Sequence, residues 1–160
     1  MTYVVRRAMV GIIGGGQLGR MMMIAGHSLG LDFFVQADAA DGMILARGGQ
    51  SNGYALYLVE GKPTFTYTTP DGRRTFAAKK PIEGKRAAVA VRLTTAKRVI
   101  ITVDGMQVAE GRVPQWIGGD PNDDMQIGDD LRSPVLETKV PALRGTIERV
   151  RIFSGEAPQE

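Results

Sequence analysis

The sequence predicts a mainly β protein, an antiparallel β-sandwich or jelly roll with an N-terminal strand–glycine loop–helix appendage. Three observations carry this. From about residue 40 onward, short apolar runs recur at close intervals, each bounded by Gly, Pro, Asn or Asp. Two of the turns between them, Glu60-Gly61 and Asp104-Gly105, have the acid-Gly form of a tight hairpin. No amphipathic helix period appears after residue 40. The clearest single piece is the hairpin Val99–Gly111. Val99, Ile101 and Val103 share one face of its first arm, Asp104-Gly105 turns the chain, and Met106, Val108 and Glu110 carry the second arm out.

The chain opens differently. Met9 to Ile13 is an apolar run suited to a buried strand. Gly14, Gly16 and Gly19 follow with G-x-G-x-x-G spacing. Arg20 to Leu29 is then predicted as a helix, with Met21, Met22, Ile24, Ala25 and Leu29 available for burial and Gly30 ending it. Leu31 to Val35 is a second apolar run, and Asp38 stands about twenty residues past the glycines. Strand, glycine loop, helix, strand and acid make the dinucleotide or phosphate fingerprint, in which free N–H groups of a helix start face an anion. At most one βαβ unit is present, whereas a doubly wound sheet needs several. The alternative, that the glycines serve only the turn, stays open. The expected organisation is residues 1–38 as this segment, 39–155 as the sandwich and 156–160 as a tail.

Within the sandwich segment, Met43 to Arg47 is a short strand stopped by Gly48-Gly49. Tyr54 to Val59 is apolar on both faces, so both are expected to be covered. Thr64 to Thr68 alternates Phe65 and Tyr67 with threonines, and Pro70-Asp71-Gly72 turns into Arg73–Ala78. Ala87 to Leu93 places Val89, Val91 and Leu93 on one side. Residues 113–135 read as mostly irregular, rich in Gly, Pro and Asp. Thr146 to Phe153 is a last strand whose apolar parity switches between Ile147 and Val150, which predicts a β-bulge. Glu148, Arg149 and Arg151 read as charges protecting a sheet edge.

Composition narrows function. Hydrophobic residues at 43% and charged residues at 23% are ordinary for a globular core with a mixed surface. The net charge of +3 comes from scattered Lys and Arg without interleaved aromatics, so no nucleic-acid partner is expected. With no cysteine and one histidine, His27, thiolate metal sites, a Cys nucleophile and a Ser-His-Asp triad drop out. No stretch reaches the ~18 apolar residues of a membrane span, and no membrane partner is expected. Arg6-Arg7 before an apolar run faintly resembles a leader, but glycines and Arg20 interrupt it.

Two family resemblances attach to these residues. Val10-Gly11-Ile12-Ile13-Gly14-Gly15-Gly16-Gln17-Leu18-Gly19-Arg20-Met21-Met22 resembles the opening of carboxyaminoimidazole ribonucleotide synthetase, an ATP-grasp purine enzyme. That resemblance implies a phosphate site at Gly15, Gly16, Gln17 and Leu18, in a cytoplasmic setting. The ATP-grasp catalytic region has no counterpart after residue 40. The second resemblance covers most of the rest. Ile44–Gly49, Gly53–Leu58, Glu60–Pro63, Val103–Gly111, Ile127–Val135 and Arg144–Val150 are similar, in order, to the laminin-G-like, or concanavalin A-like, C-terminal sandwich of bacterial arylsulfatases. It implies a non-catalytic accessory module, periplasmic or extracellular, that binds carbohydrate or packs against a partner domain. The sulfatase catalytic domain is absent, so no enzyme activity is expected.

Candidate sites follow. Trp116, beside Gly118-Gly119, is the residue expected to stack on a sugar ring, although a lone Trp more often plugs a core under a loop. Asp120, Asn122, Asp123, Asp124, Asp129 and Asp130 crowd one region, and oxygen ligands on a loop suit Ca²⁺. Asp123, Asp124, Asp129 and Asp130 are the candidate metal residues, without EF-hand spacing; a solvated acidic loop, with Asp129 making an Asx-type turn bond, is the simpler reading. No other cofactor is expected. Finally, Leu31–Ala37 and Thr146–Phe153 are expected to pair and close the sheet, with residues 1–30 outside it. The sequence does not decide the oligomeric state.

Overall fold

Alternating apolar residues and glycine-bearing turns produce the strands in the computed structural model, which describes residues 9–11, 29–117 and 125–154. They are β1 (Met9–Gly11), β2 (Leu29–Ala37), β3 (Gly42–Gly48), β4 (Gly53–Val59), β5 (Lys62–Thr69), β6 (Gly72–Ala77), β7 (Arg86–Leu93), β8 (Arg98–Val103), β9 (Met106–Arg112), β10 (Gln126–Ile127) and β11 (Gly145–Ser154). No helix occurs among the described residues. A six-stranded sheet runs β1-β11-β2-β7-β8-β9, and a five-stranded sheet runs β10-β3-β4-β5-β6. Neighbouring strands are antiparallel except β1, which lies parallel to β11.

The core lies between the sheets. Leu31, Phe33 and Val35 of β2 and Val89, Val91 and Leu93 of β7 face Tyr54, Leu56, Phe65 and Tyr67 of β4 and β5. Each large apolar side chain buried in this way stabilises the fold by about 1.5–3 kcal/mol. The hairpin turns have the backbone that their sequences predict. Glu60 and Gly61 sit at φ 52° and 73°, and Asp104 and Gly105 at φ 49° and 79°, the two left-handed residues of a type I′ turn. Asp104 also ties its turn to β7: its N–H donates to Ala88 O and its Oδ1 accepts the Ala88 N–H, both at 2.8 Å. Gly145 starts β11 at φ 142°, and a Cβ there would lie 2.0 Å from Gln36 O, so only glycine fits.

The closing pair is present: β11 and β2 align from Gly145↔Ala37 to Ser154↔Leu29, with a register shift between Ile147 and Arg149 where the apolar parity switches. Several expectations need correction. Leu29 and Gly30 belong to β2 rather than to a helix end, because Leu29 continues the inward alternation of Leu31, Phe33 and Val35. β2 as a whole sits in the six-stranded sheet between β11 and β7. β1 and β2 run in opposite directions with β11 between them, so they do not form a βαβ unit. β11 is not an edge, since β1 pairs with its Arg149–Arg151 stretch; Glu148 and Arg151 are engaged in ion pairs across the sheet instead. The described part of 113–135 is mostly irregular, as expected, and its two-residue strand β10 adds Gln126 and Ile127 to β3.

Candidate functional site

Two parts of the surface are shaped by this architecture. The first is the sandwich end where β9 leaves the sheet. Val113 N–H donates to Lys97 O at 3.0 Å, and Lys97 Nζ donates to Pro114 O at 3.3 Å. Ile117 N–H then donates to the buried Tyr67 hydroxyl at 2.8 Å. Trp116 is therefore held from both sides, half-buried, with one part packed on the core. Burial pushes the Tyr67 phenol up to about 12, against the opposing effect of the Ile117 N–H. Burial also raises Tyr54, while the Arg47 guanidinium acts downward. Arg47 stands opposite Tyr54 in the β3–β4 register and is only 8% exposed. Its Nε and Nη1 have no hydrogen-bond partner among the described residues. The sequence marks Arg47 only as a strand end; the register turns it inward.

The second is the outer face of the six-stranded sheet. Inward Leu31, Ala87, Val91, Val99 and Val150 leave Asp32, Phe34, Arg86, Ala88, Ala90, Arg92, Arg149 and Arg151 pointing outward. Arg92 Nη1 donates to Asp32 Oδ1 at 2.6 Å, and Arg151 Nε lies 3.5 Å from Asp32 Oδ2. Arg86 Nη2 reaches both Glu148 oxygens, at 2.8 and 2.6 Å, and its guanidinium lies 5.1 Å from the Phe34 ring centre. On the far side Arg98 pairs with Glu110, whose carboxyl is held below its ordinary range first by that hydrogen bond. Arg112 stands directly opposite Arg98 in the β8–β9 register. Sequence reading missed this face because its members come from strands scattered between residues 32 and 151.

The outer face of the five-stranded sheet is closed. Val135 and Leu136 pack with Met43, Ala46, Ala55 and Tyr57, and Val140 adds to them. Asp130 holds this cover in place: its Oδ2 accepts the Val135 N–H at 2.8 Å. Asp129 Oδ1 accepts the Asp130 N–H at 2.8 Å. The longer turn bond is thus made by Asp130 rather than by Asp129. The structure brings Asp129 and Asp130 together; Asp123 and Asp124 lie outside the described residues, as do Asp120 and Asn122. Among the described residues no group of three acidic or histidine side chains is placed to hold a metal. Gly15, Gly16, Gln17, Leu18 and His27 also lie outside the described residues. No described helix is long and apolar enough to cross a membrane.

The laminin G domain model matches residues 35–155, from the end of β2 through β11. This chain belongs to the laminin G domain family. A second model, the ribonucleotide synthetase preATP-grasp domain, matches residues 7–50. Within that stretch, β2 and β3 are strands of the laminin G sandwich. No curated protein matches the chain. Among solved structures, mouse laminin α1 domains LG4-5 share the fold with a TM-score of 0.65 at 19% identity, over 78% of this chain and 34% of that one. The CBM40 of the Ruminococcus gnavus IT-sialidase superposes with a TM-score of 0.64 at 16% identity, over 81% of this chain and 77% of that one. The same module has been described bound to α2,3-sialyllactose and to α2,6-sialyllactose. This laminin G domain spans about a third of the laminin chain that it resembles.

Proposed function

We propose that this laminin G domain is a non-catalytic carbohydrate-binding module, an accessory sandwich of the kind appended to bacterial arylsulfatases. The observation that carries this reading is the mounting of Trp116. Its neighbour Ile117 is fixed on the Tyr67 hydroxyl and the loop before it on Lys97. A half-buried indole held in this way offers a sugar ring an apolar, pre-ordered surface, at little conformational cost. Sialyllactose binding by a module of the same fold supports it. The arylsulfatase association rests on the ordered sequence patches between residues 44 and 150. A phosphate site at Gly15–Leu18 has less support, because the strands on either side of it do not form a βαβ unit.

A glycan array, followed by titration of the hits, tests the proposal. The full chain is expected to bind at least one oligosaccharide, and Trp116→Ala to weaken it by about ten-fold or more, the loss of one stacking contact. An empty array, or affinity indifferent to Trp116→Ala, overturns it.

A further inference from the structure

We infer that Arg47 holds a small monovalent inorganic anion, of the size and charge of chloride, at the end of the sandwich core, and that the bound ion is part of the folded structure. The site is separate from the glycan-binding reading and stands or falls without it. Arg47 comes just before the Gly48-Gly49 stop of β3. It lies in one cross-strand row with Tyr54 of β4 and Tyr67 of β5. Both tyrosines belong to the core between the sheets, and so does Ile117, which caps the row at the Tyr67 hydroxyl. On the other side Gln126 pairs with Ala46, and the residue before it, Met125, packs against the same core. Arg47 is thus a cation at 8% exposure in largely apolar surroundings.

Arginine cannot shed its charge to suit such a place. A buried lysine loses its proton, whereas a guanidinium keeps its own. The charge therefore needs a counterion, because an unmatched ion in a core costs more than an ordinary hydrogen bond returns. Among the described residues no carboxylate pairs with Arg47. Tyr54 cannot take that part, since burial raises its phenol above the ordinary 10.0 and keeps it a neutral hydroxyl.

The hydrogen bonds tell the same story. Arg47 Nε, Arg47 Nη1 and Tyr54 Oη are buried and have no hydrogen-bond partner among the described residues. The two nitrogens can only donate, and the hydroxyl adds a further donor. A ligand that accepts several such bonds and carries one negative charge answers both deficits. Water accepts the bonds but leaves the charge unmatched. A polyvalent oxyanion or an acidic sugar is too large to follow the guanidinium to Tyr54, which has no exposed surface; a monatomic anion is not.

The test is urea unfolding of the full chain, followed by the fluorescence of Trp116, the one tryptophan. It is run in sodium chloride and in sodium gluconate at equal ionic strength, so that screening is matched. Chloride is expected to raise the urea midpoint above its value in gluconate. An ion that binds only the folded chain multiplies the folded-to-unfolded ratio about 100-fold at 100 times its dissociation constant. Arg47→Met, which keeps an unbranched side chain without the charge, is expected to abolish the difference between the salts. Tyr54→Phe keeps the ring in the core and loses one donor, and should move the response to about ten-fold higher chloride. If either variant fails to fold, the other decides, together with crystals of the wild-type chain grown in bromide, where anomalous scattering is expected to place the ion beside Arg47 Nε. Equal midpoints in the two salts overturn the inference, as does a chloride response that survives Arg47→Met, or a bromide map with no peak at Arg47. So does a wild-type chain indifferent to chloride whose Asp123→Asn/Asp124→Asn variant is destabilised, which assigns the counter-charge to the carboxylates that precede Met125.

Discussion

In β4 every residue from Gly53 to Leu58 is buried, whereas β7 alternates buried Ala87, Val89, Val91 and Leu93 with accessible Arg86, Ala88, Ala90 and Arg92. Both strands lie inside their sheets and both line the same core. They differ in what lies on the other side. The five-stranded sheet carries a cover, Val135 and Leu136, anchored by Asp130. Among the described residues the six-stranded sheet has none, and its outer face is a lattice of arginines and carboxylates. One sheet therefore serves stability on both faces, while the other divides its faces between core and solvent. Charged surface arrays on a sheet contribute little to stability, since exposed pairs are worth about 0–1 kcal/mol.

The sharpest way to break this comparison is one substitution made on each outer face. Ala55→Arg places a cation beneath the Val135–Leu136 cover, where Ala55 is fully buried, and should cost about 4 kcal/mol or more, or prevent folding. Ala88→Arg, on the open face, should stay within about 0.5 kcal/mol. Urea denaturation of the two variants checks this; equal losses would mean that the six-stranded sheet is covered as well.

A smaller effect is expected at the end of the core. Tyr67→Phe strands the Ile117 N–H and should cost about 1–3 kcal/mol. The wild-type chain also carries a pH signature there. The folded-state phenol ionises at about 12 against an ordinary 10.0, so its contribution is complete below pH 10 and is lost as pH rises towards 12, where the unfolded chain has already given up the proton. Burial shifts Tyr54 and Tyr57 in the same direction and deepens the loss. Urea midpoints measured across that window should fall in the wild type and fall less steeply in Tyr67→Phe.

The smallest contrast sets a covered hydroxyl chain against an exposed ion pair. Thr66 Oγ1 lies between Tyr57 OH at 2.8 Å and Thr75 Oγ1 at 2.9 Å, and Thr66 is fully buried. Thr66→Val should cost about 1–2 kcal/mol. Glu110→Gln removes a pair in open solvent and should leave the urea midpoint unmoved at moderate salt. A larger effect for Glu110 than for Thr66 would reverse the assignment of roles to the two faces.

Much of the sandwich was legible along the chain. The I′ turns at Glu60-Gly61 and Asp104-Gly105, the two-sided apolar run of β4 and the bulge after Ile147 all appear where residue type demands them. The errors occurred where local pattern and distant pairing disagree. Leu29 fits a helical spacing with Met21, Met22 and Ile24, yet it pairs with Leu93 and Ser154 as a strand residue. Charges on β11 looked like edge protection, but β1 pairs alongside and Arg86 and Asp32 take up Glu148 and Arg151. Of the candidate site, Trp116 could be named from its loop. Neither the inward turn of Arg47 nor the meeting of Arg92, Asp32 and Arg151 could, because each depends on a cross-strand register.

By itself the sequence determined the strand class, the hairpins and the inward parity of each strand, since these follow from backbone sterics and from a two-residue period that act within a few positions. Only the tertiary structure decided which strands became neighbours, which sheet received a cover and which arginines came to share a face. Those outcomes depend on contacts between residues as far apart as Asp32 and Arg151, and no local pattern encodes a pairing at that distance.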